Sequence, residues 1–259
     1  MTVISLRDVT LERQGKYLLT NLNWQVQKGE TWAILGLNGS GKSTLLKLIM
    51  AEFFPSKGQA SVLGATFGKG DISHIRHHIG VVSSFISERL SPHMLAEQIV
   101  LTGQYKSSIL YKSYTQTELE EARQMLDNLG ASHLIGHYYA SLSQGEKQLL
   151  LIARSLMDKP RLLILDEATT GLDLFARDKL LRQIDTISEL ENAPTILFVT
   201  HHPDEITTKM THLLLLREGK IVAQGPKESI LTKKQLEAFY QRPVHLISLD
   251  EGRFFIQPR

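Results

Sequence analysis

Three short stretches of this chain carry residue types that chemistry on phosphate needs. The first is Gly36-Leu37-Asn38-Gly39-Ser40-Gly41-Lys42-Ser43-Thr44, which fits the spacing G-x-x-x-x-G-K-[ST]. Its glycines let the backbone wrap closely around phosphate oxygens with N–H groups pointing inward. Lys42 is then placed to bridge β- and γ-phosphates, and the Ser43 hydroxyl to ligate Mg²⁺. The second stretch is "LLILDE", an apolar run that ends in Asp166 and Glu167. Asp166 can hold Mg²⁺ through water, and Glu167 is a candidate general base for an attacking water. The third is "FVTHH", where His201 can donate a hydrogen bond to a γ-phosphate and orient that water. Alone, an acidic pair or a histidine at the end of an apolar run is commonplace. Beside the first motif both acquire a purpose.

A fourth stretch, Leu142-Ser143-Gln144-Gly145-Glu146, stands immediately before the apolar run "LLLIARSLM". Ser143 with Glu146 three residues later matches a capping box, in which each side chain satisfies an orphan backbone N–H. The N-terminus of such a helix also attracts anions. The sequence alone supports both uses.

Elements that position these residues follow from the hydrophobic pattern. Residues 2–34 hold "VISLRDVTL", "LNWQVQ" and "TWAIL", separated by the turns "RQGK" and "QKGE", and read as successive strands. From Gly41 the pattern becomes helical, with Leu45, Leu48 and Ile49 on one face. Turn and strand return at "PSKGQASVLG". Residues 91–135 read as mainly helical, broken at "GQYKSSILYKSYTQ" and resuming at "TELEEARQMLDNLG" with a Thr cap, an acidic first turn and a closing glycine. After the helix from Ser143 come the strand "RLLILD", a helix around 174–190, the strand "TILFVT", and the pair "HLLLLRE" and "KIVAQG". The tail "VHLISLDEGRFFIQPR" reads as a hairpin turning around Asp250–Gly252. Alternating strands and helices predict an α/β core with a largely parallel sheet, an antiparallel layer beside it, and a helical lobe near 91–157.

Composition narrows the class. The 259 residues carry 29 Lys plus Arg against 27 Asp plus Glu, a formal net charge of +2. That balance gives no electrostatic footprint for nucleic acid. No cysteine is present, which excludes disulfides, thiolate metal sites and cysteine nucleophiles. No stretch approaches the ~20 apolar residues that span a bilayer. The charged N-terminus "MTVISLRDVTLERQG" lacks the apolar core of a signal peptide. A cytoplasmic protein is expected, reaching a membrane only through a partner.

The phosphate loop, "LSQGE", "LLILDE", "GLD" and "VTH", in that order, resemble the ATP-binding cassette of ABC proteins from the first strand to about Gly225. The resemblance implies one cassette over 1–259: a P-loop NTPase (RecA-like) core, a helical subdomain near 91–157 and a C-terminal extension from about 226. It implies an Mg²⁺-dependent ATPase that binds ATP through Gly36–Thr44, with Lys42, Glu167 and His201 catalytic and Ser43 and Asp166 at the metal. Residues 142–146 stand at the family's signature, usually LSGGQ, which grips the γ-phosphate held by a second cassette. Asp173, closing "GLD", would couple the two sites across that interface. A chain with one set of motifs then works as a homodimer, or beside a similar cassette, at the inner membrane face on a separate permease. A soluble assembly ATPase is the alternative; a regulator without turnover is disfavoured by the presence of Glu167 and His201.

This chain departs from the family pattern in three places. Ser84 follows "IGVVS" where the family has a Gln that reaches Mg²⁺ and the attacking water. Arg13 stands where an aromatic would stack on adenine; either its guanidinium plane could stack there or Tyr17, close by, could substitute. The signature ends in Glu146 rather than Gln. "NLNW", "GETWAIL" and "VVSS" are similar to the YlmA and ModF-like stand-alone cassettes, although Trp24 and Trp32 are equally well explained as strand-core aromatics.

Overall fold

The computed structural model describes all residues except 71, 111, 112 and 250–252, together with every side chain of the remainder but those of Ser73 and Ser84. The chain forms two compact units, residues 1–76 with 195–259, and residues 77–194. In chain order the first unit begins with β1 (Thr2–Arg13), β2 (Lys16–Gln27), β3 (Thr31–Gly36), α1 (Lys42–Ile49), β4 (Lys57–Val62) and β5 (Ala65–Thr66). The second unit holds β6 (Ile79–Val82), α2 (Ser84–Ser87), α3 (Ala96–Leu101), α4 (Gln116–Asn128), α5 (Gln144–Leu156), β7 (Leu162–Asp166) and α6 (Leu174–Ser188). The first unit then resumes with β8 (Thr195–Thr200), β9 (His212–Arg217), β10 (Lys220–Pro226), α7 (Lys227–Ile230), α8 (Lys233–Tyr240), β11 (Val244–Ser248) and β12 (Phe254–Pro258).

Within the first unit, β3 pairs in parallel with β8 on one side and β9 on the other. Every residue of β3 and β8 is buried. That is why these strands read as continuous apolar runs rather than alternating ones. β10 turns back antiparallel along β9 through Glu218 and Gly219, both at positive φ, as a tight hairpin requires. A separate antiparallel layer runs β2-β1-β4-β5. Its first hairpin closes at Gln14 and Gly15, φ 52° and 72°, with Arg13 paired to Lys16 across the turn. The tail hairpin is present as β11 against β12, Ser248 opposite Phe254. The turn expected at Asp250–Gly252 lies outside the described residues.

Within the second unit, β6 and β7 run parallel, Val82 beside Leu165, and α3 packs on α4 and α5. The expected helical content of 91–135 resolves into α3 and α4; residues 111 and 112, between them, lie outside the described residues. Helix α4 starts two residues earlier than "TELEE" suggested: Thr115, not Thr117, is the cap and accepts from the Glu118 N–H at 3.2 Å. Both threonines stand three residues before a glutamate. Thr115 prevails because its partner Glu118 is also held by the Tyr105 hydroxyl at 2.6 Å. The closing Gly130, φ 66°, ends the helix in the left-handed conformation that glycine favours. Among the described residues no helix is long and apolar enough to cross a membrane.

Candidate functional site

Strand β3 delivers Gly36 into the loop that opens α1. A Cβ on Gly36 would collide with the Ser40 hydroxyl and meet the Leu216 carbonyl at 3.0 Å, so the loop closes tightly only with glycine there. Gly39 and Gly41 sit at φ 76° and 104°, conformations that L side chains rarely adopt. The Lys42 ammonium reaches back across the loop and donates to the Gly36 carbonyl at 2.7 Å and the Leu37 carbonyl at 3.3 Å. Ser40 is 4% exposed and its hydroxyl has no partner. Helix α1 has no acidic residue in its first turn and no side-chain cap, so none of its own side chains offsets the positive end of the helix dipole. A cradle that glycine alone fits, an orphan hydroxyl and a helix N-terminus with no acidic residue in its first turn all suit an oxyanion.

Beside this loop lies a cleft of about 760 Å³, lined by Arg13, Lys16, Leu18, Ser43, Thr44, Lys47 and Phe53 among others. Strand β8 ends next to β3, Thr200 beside Leu35, so the phosphate loop and His201 leave the sheet from neighbouring strand ends. The Thr200 hydroxyl donates to the buried Glu205 carboxylate at 2.5 Å and accepts the His202 N–H at 2.9 Å. That pins the turn, and the rings of His201 and His202 lie 4.0 Å apart.

In the second unit, β7 emerges at Asp166, and Glu167 follows at φ 51°. A non-glycine residue in that region is uncommon and marks a position held by its surroundings. Asp173 caps α6, accepting from the Phe175 and Ala176 N–H groups, both at 2.9 Å. Leu174 and Phe175, just beyond it, are 71% and 83% exposed. Leu142 is buried, and Ser143 caps α5 in the expected box. Its hydroxyl accepts from the Glu146 N–H at 3.3 Å, and the Glu146 carboxylate accepts the Ser143 N–H at 2.8 Å and hydroxyl at 2.7 Å. These bonds, the Ser143 hydroxyl first and the nearby His133 least, hold the Glu146 carboxyl below the usual carboxylate range. A Cβ on Gly145 would stand 3.3 Å from the Ala176 side chain of α6; Gln144, before it, opens α5 on the exposed side.

The sequence model of ABC transporters matches residues 19–170. An ABC transporter ATP-binding protein of Streptococcus mutans is 66% identical over the whole of both chains. The chain belongs to the ABC transporter family. It is an ATP-binding cassette of that family and an ATPase. YlmA of Bacillus subtilis, another ABC transporter ATP-binding protein, is 43% identical over 95% of this chain and 93% of its own length. The inward-facing structure of a metal-chelate-type ABC transporter matches 100% of the cassette and 97% of that chain, with a TM-score of 0.81 at 29% identity.

The cassette brings Gly36–Thr44, Arg13 and His201 into its first unit, and Ser84, 142–146, Asp166, Glu167 and Asp173 into its second. Tyr17 is 61% exposed and does not line the cleft, although its cross-strand partner Glu12 does. Ser84 begins α2 directly beyond β6, at the same end of the strand pair as Asp166; its side chain lies outside the described residues. The sequence reading missed Phe53 and Lys47, which line the cleft with Arg13. An aromatic after a helix end carries no local signal of a partner on a distant hairpin. Among the described residues no group of three or more His, Asp or Glu forms a metal cage. Mg²⁺ rarely uses one, taking one or two protein oxygens with phosphates and water.

Proposed function

We propose that this cassette hydrolyses Mg·ATP as one half of an ATP-closed dimer and that the dimer drives a membrane permease from the cytoplasmic face. The observation that carries the reading is the phosphate loop: a glycine cradle, a lysine folded across it and an unpartnered buried hydroxyl. Lys42 leaves the Gly36 and Leu37 carbonyls for phosphate oxygens, exchanging neutral acceptors for charged ones. Backbone N–H groups from Leu37 to Thr44, with Asn38 at the loop's outer edge, hold the remaining oxygens. Ser43 and Asp166 would hold Mg²⁺, which supplies charge neutralisation on the β- and γ-phosphates. Glu167 takes the proton of the attacking water, and His201 holds that water and the γ-phosphate in line.

The capped end of α5 has its second use here. Ser143 and Gly145 grip the γ-phosphate bound by a second cassette, and Asp173 with the exposed Leu174 and Phe175 meets that partner. ATP binds the closed pair better than the open one and so shifts the population toward closure; hydrolysis removes the bridging phosphate and releases it. The metal-chelate-type transporter, whose cassette this chain matches throughout, supports a permease partner.

The test is Glu167→Gln. ATP affinity stays near the parent while turnover falls by ~10²–10⁴-fold, the usual worth of a general base. Parental turnover would remove Glu167 from the mechanism. Lys42→Ala, measured beside it, loses ATP affinity.

A further inference from the structure

Glu205 is bonded to both neighbours of His201. Its buried carboxylate accepts the Thr200 hydroxyl at 2.5 Å, and its N–H donates to the His202 carbonyl at 3.2 Å. The second bond belongs to a single 3₁₀ turn, Pro203–Glu205, and a turn this short holds itself weakly. What fixes it comes from the C-terminal extension. Lys227, the first residue of α7, is 6% exposed. Its ammonium donates to the Thr207 carbonyl at 2.9 Å and the Thr208 carbonyl at 3.1 Å, just beyond Glu205. Its backbone N–H donates to the Thr211 carbonyl at 2.9 Å. A charged donor bonds a carbonyl more strongly than a neutral one, and a buried ammonium loses most if its acceptors move. Strand β12 packs against the 3₁₀ turn itself. At the end of α8, burial first and the Asp204 carboxylate second push the Tyr240 phenol up to about 12, so this helix end is within electrostatic reach of the turn. Arg217 anchors the same end to β9, donating to the Phe239 carbonyl and the Gln241 side chain, both at 2.8 Å.

We infer that Lys227 is a positioning residue for hydrolysis: through Thr207 and Thr208 it keeps Glu205 on Thr200, and so sets where His201 stands. The inference rests on the reading that His201 aligns the attacking water with the γ-phosphate. With the ammonium in place, Glu205 and Ile206 stay buried. Without it, the carbonyl of the buried Thr207 loses a charged donor, and the segment shifts to satisfy it, taking Glu205 along. None of residues 226–259 lines the cleft beside the phosphate loop. The tie therefore acts on the alignment of the water and not on the grip on ATP, and its loss falls on kcat rather than KM. Lys227 and His201 are joined only through the fold, so no motif announces the pair.

The experiment compares the parent with Lys227→Met, which keeps the length and removes the donor, and Lys227→Arg, which keeps a charged donor. Each is made alone and with His201→Ala. Steady-state assays give kcat and KM for ATP, beside the melting temperature. Lys227→Met should lower kcat by roughly ten- to a hundredfold, the cost of displacing an aligning group by up to about 1 Å. Its KM should stay within about twofold of the parent. Lys227→Arg should recover most of the lost kcat. In the His201→Ala background Lys227→Met should change kcat by less than about twofold, because the group it positions is gone. Should Lys227→Met melt below the assay temperature, Lys227→Gln takes its place with the same expectations, since a shorter neutral donor cannot serve both carbonyls. The inference is overturned by a parental kcat in the folded variant, by a KM that rises in step with the fall in kcat, or by losses that multiply in the double variant. The last result would make Lys227 a support of the fold alone. His201→Ala by itself keeps the two readings apart: a parental kcat there sinks the role of His201, whatever Lys227 does.

Discussion

Ser143 is asked to do two jobs, and substitution can separate them. As a cap it satisfies one N–H of α5, that of Glu146 at 3.3 Å, and it is itself exposed. A long bond at an exposed helix end belongs near the middle of the range for N-caps, so Ser143→Ala should cost about 1 kcal/mol. For a chain of this size that is a fall in melting temperature of about 2–4 °C. Asn caps as well as Ser, so Ser143→Asn should melt within about 1 °C of the parent. As a grip on a partner's γ-phosphate, the position depends on a compact hydroxyl. Both variants should therefore lose the ATP-dependent dimer, including the one that keeps its stability. The assay is light scattering with and without ATP in the Glu167→Gln background, beside thermal melting of each variant. An Asn variant that still dimerises with ATP would show that residue 143 only caps a helix. An Ala variant that melts with the parent would remove the capping argument.

Other perturbations follow from the same geometry. The Glu146 carboxyl is held below its ordinary value of 4.5. It therefore stabilises the fold above that pH, and the contribution is lost as pH falls through the depressed value. Glu146→Gln keeps the box geometry, so its deficit in melting temperature relative to the parent should shrink toward zero on acidification below about pH 4.5. At neutral pH the same substitution removes a negative charge from the helix end proposed to face an anion, and should tighten the ATP-dependent dimer in the light-scattering assay. Gly36→Ala places a methyl against the Ser40 hydroxyl and the Leu216 carbonyl; calorimetry should show ATP affinity reduced by more than about tenfold, with about 1–3 kcal/mol of stability lost. Thr200→Val breaks the bonds to Glu205 and His202 that pin the His201 turn. It should lower kcat with ATP affinity retained, and His201→Ala should do the same more severely.

The parts legible in the sequence were those whose physics is local. The phosphate loop needs glycine at positions a few residues apart, so its spacing is its signature. β3 and β8 are buried on both faces and announce it as unbroken apolar runs. The box at Ser143 is closed by a residue three positions on. Thr115 was misjudged by two residues because Thr117 offers the same local pattern, and the choice was made by Tyr105, ten residues away. Tyr17 was a candidate by nearness in sequence; it is exposed and lies outside the lining of the cleft.

Arg13 carries that argument furthest. Read alone, an arginine where an aromatic is expected leaves two replacements open, its own guanidinium plane or the nearby Tyr17. The fold adds a support for that plane, the Phe53 ring 4.0 Å from the Arg13 guanidinium. A guanidinium offers a flat face only while something holds it flat. The turn residues next to Arg13, Gln14 and Gly15, carry no ring. The ring comes from beyond α1, and it stays beneath Arg13 because Ser56 ties that segment to Thr10 and Glu12. Ser56→Ala, which touches neither ring nor guanidinium, should therefore raise KM for ATP in the same direction as Phe53→Ala and by less, with the affinity for inorganic tripolyphosphate, which has no base, unchanged in calorimetry. A Ser56→Ala cassette with parental KM would mean that Phe53 keeps its place without that tie, and that the position of the ring is set by α1 alone.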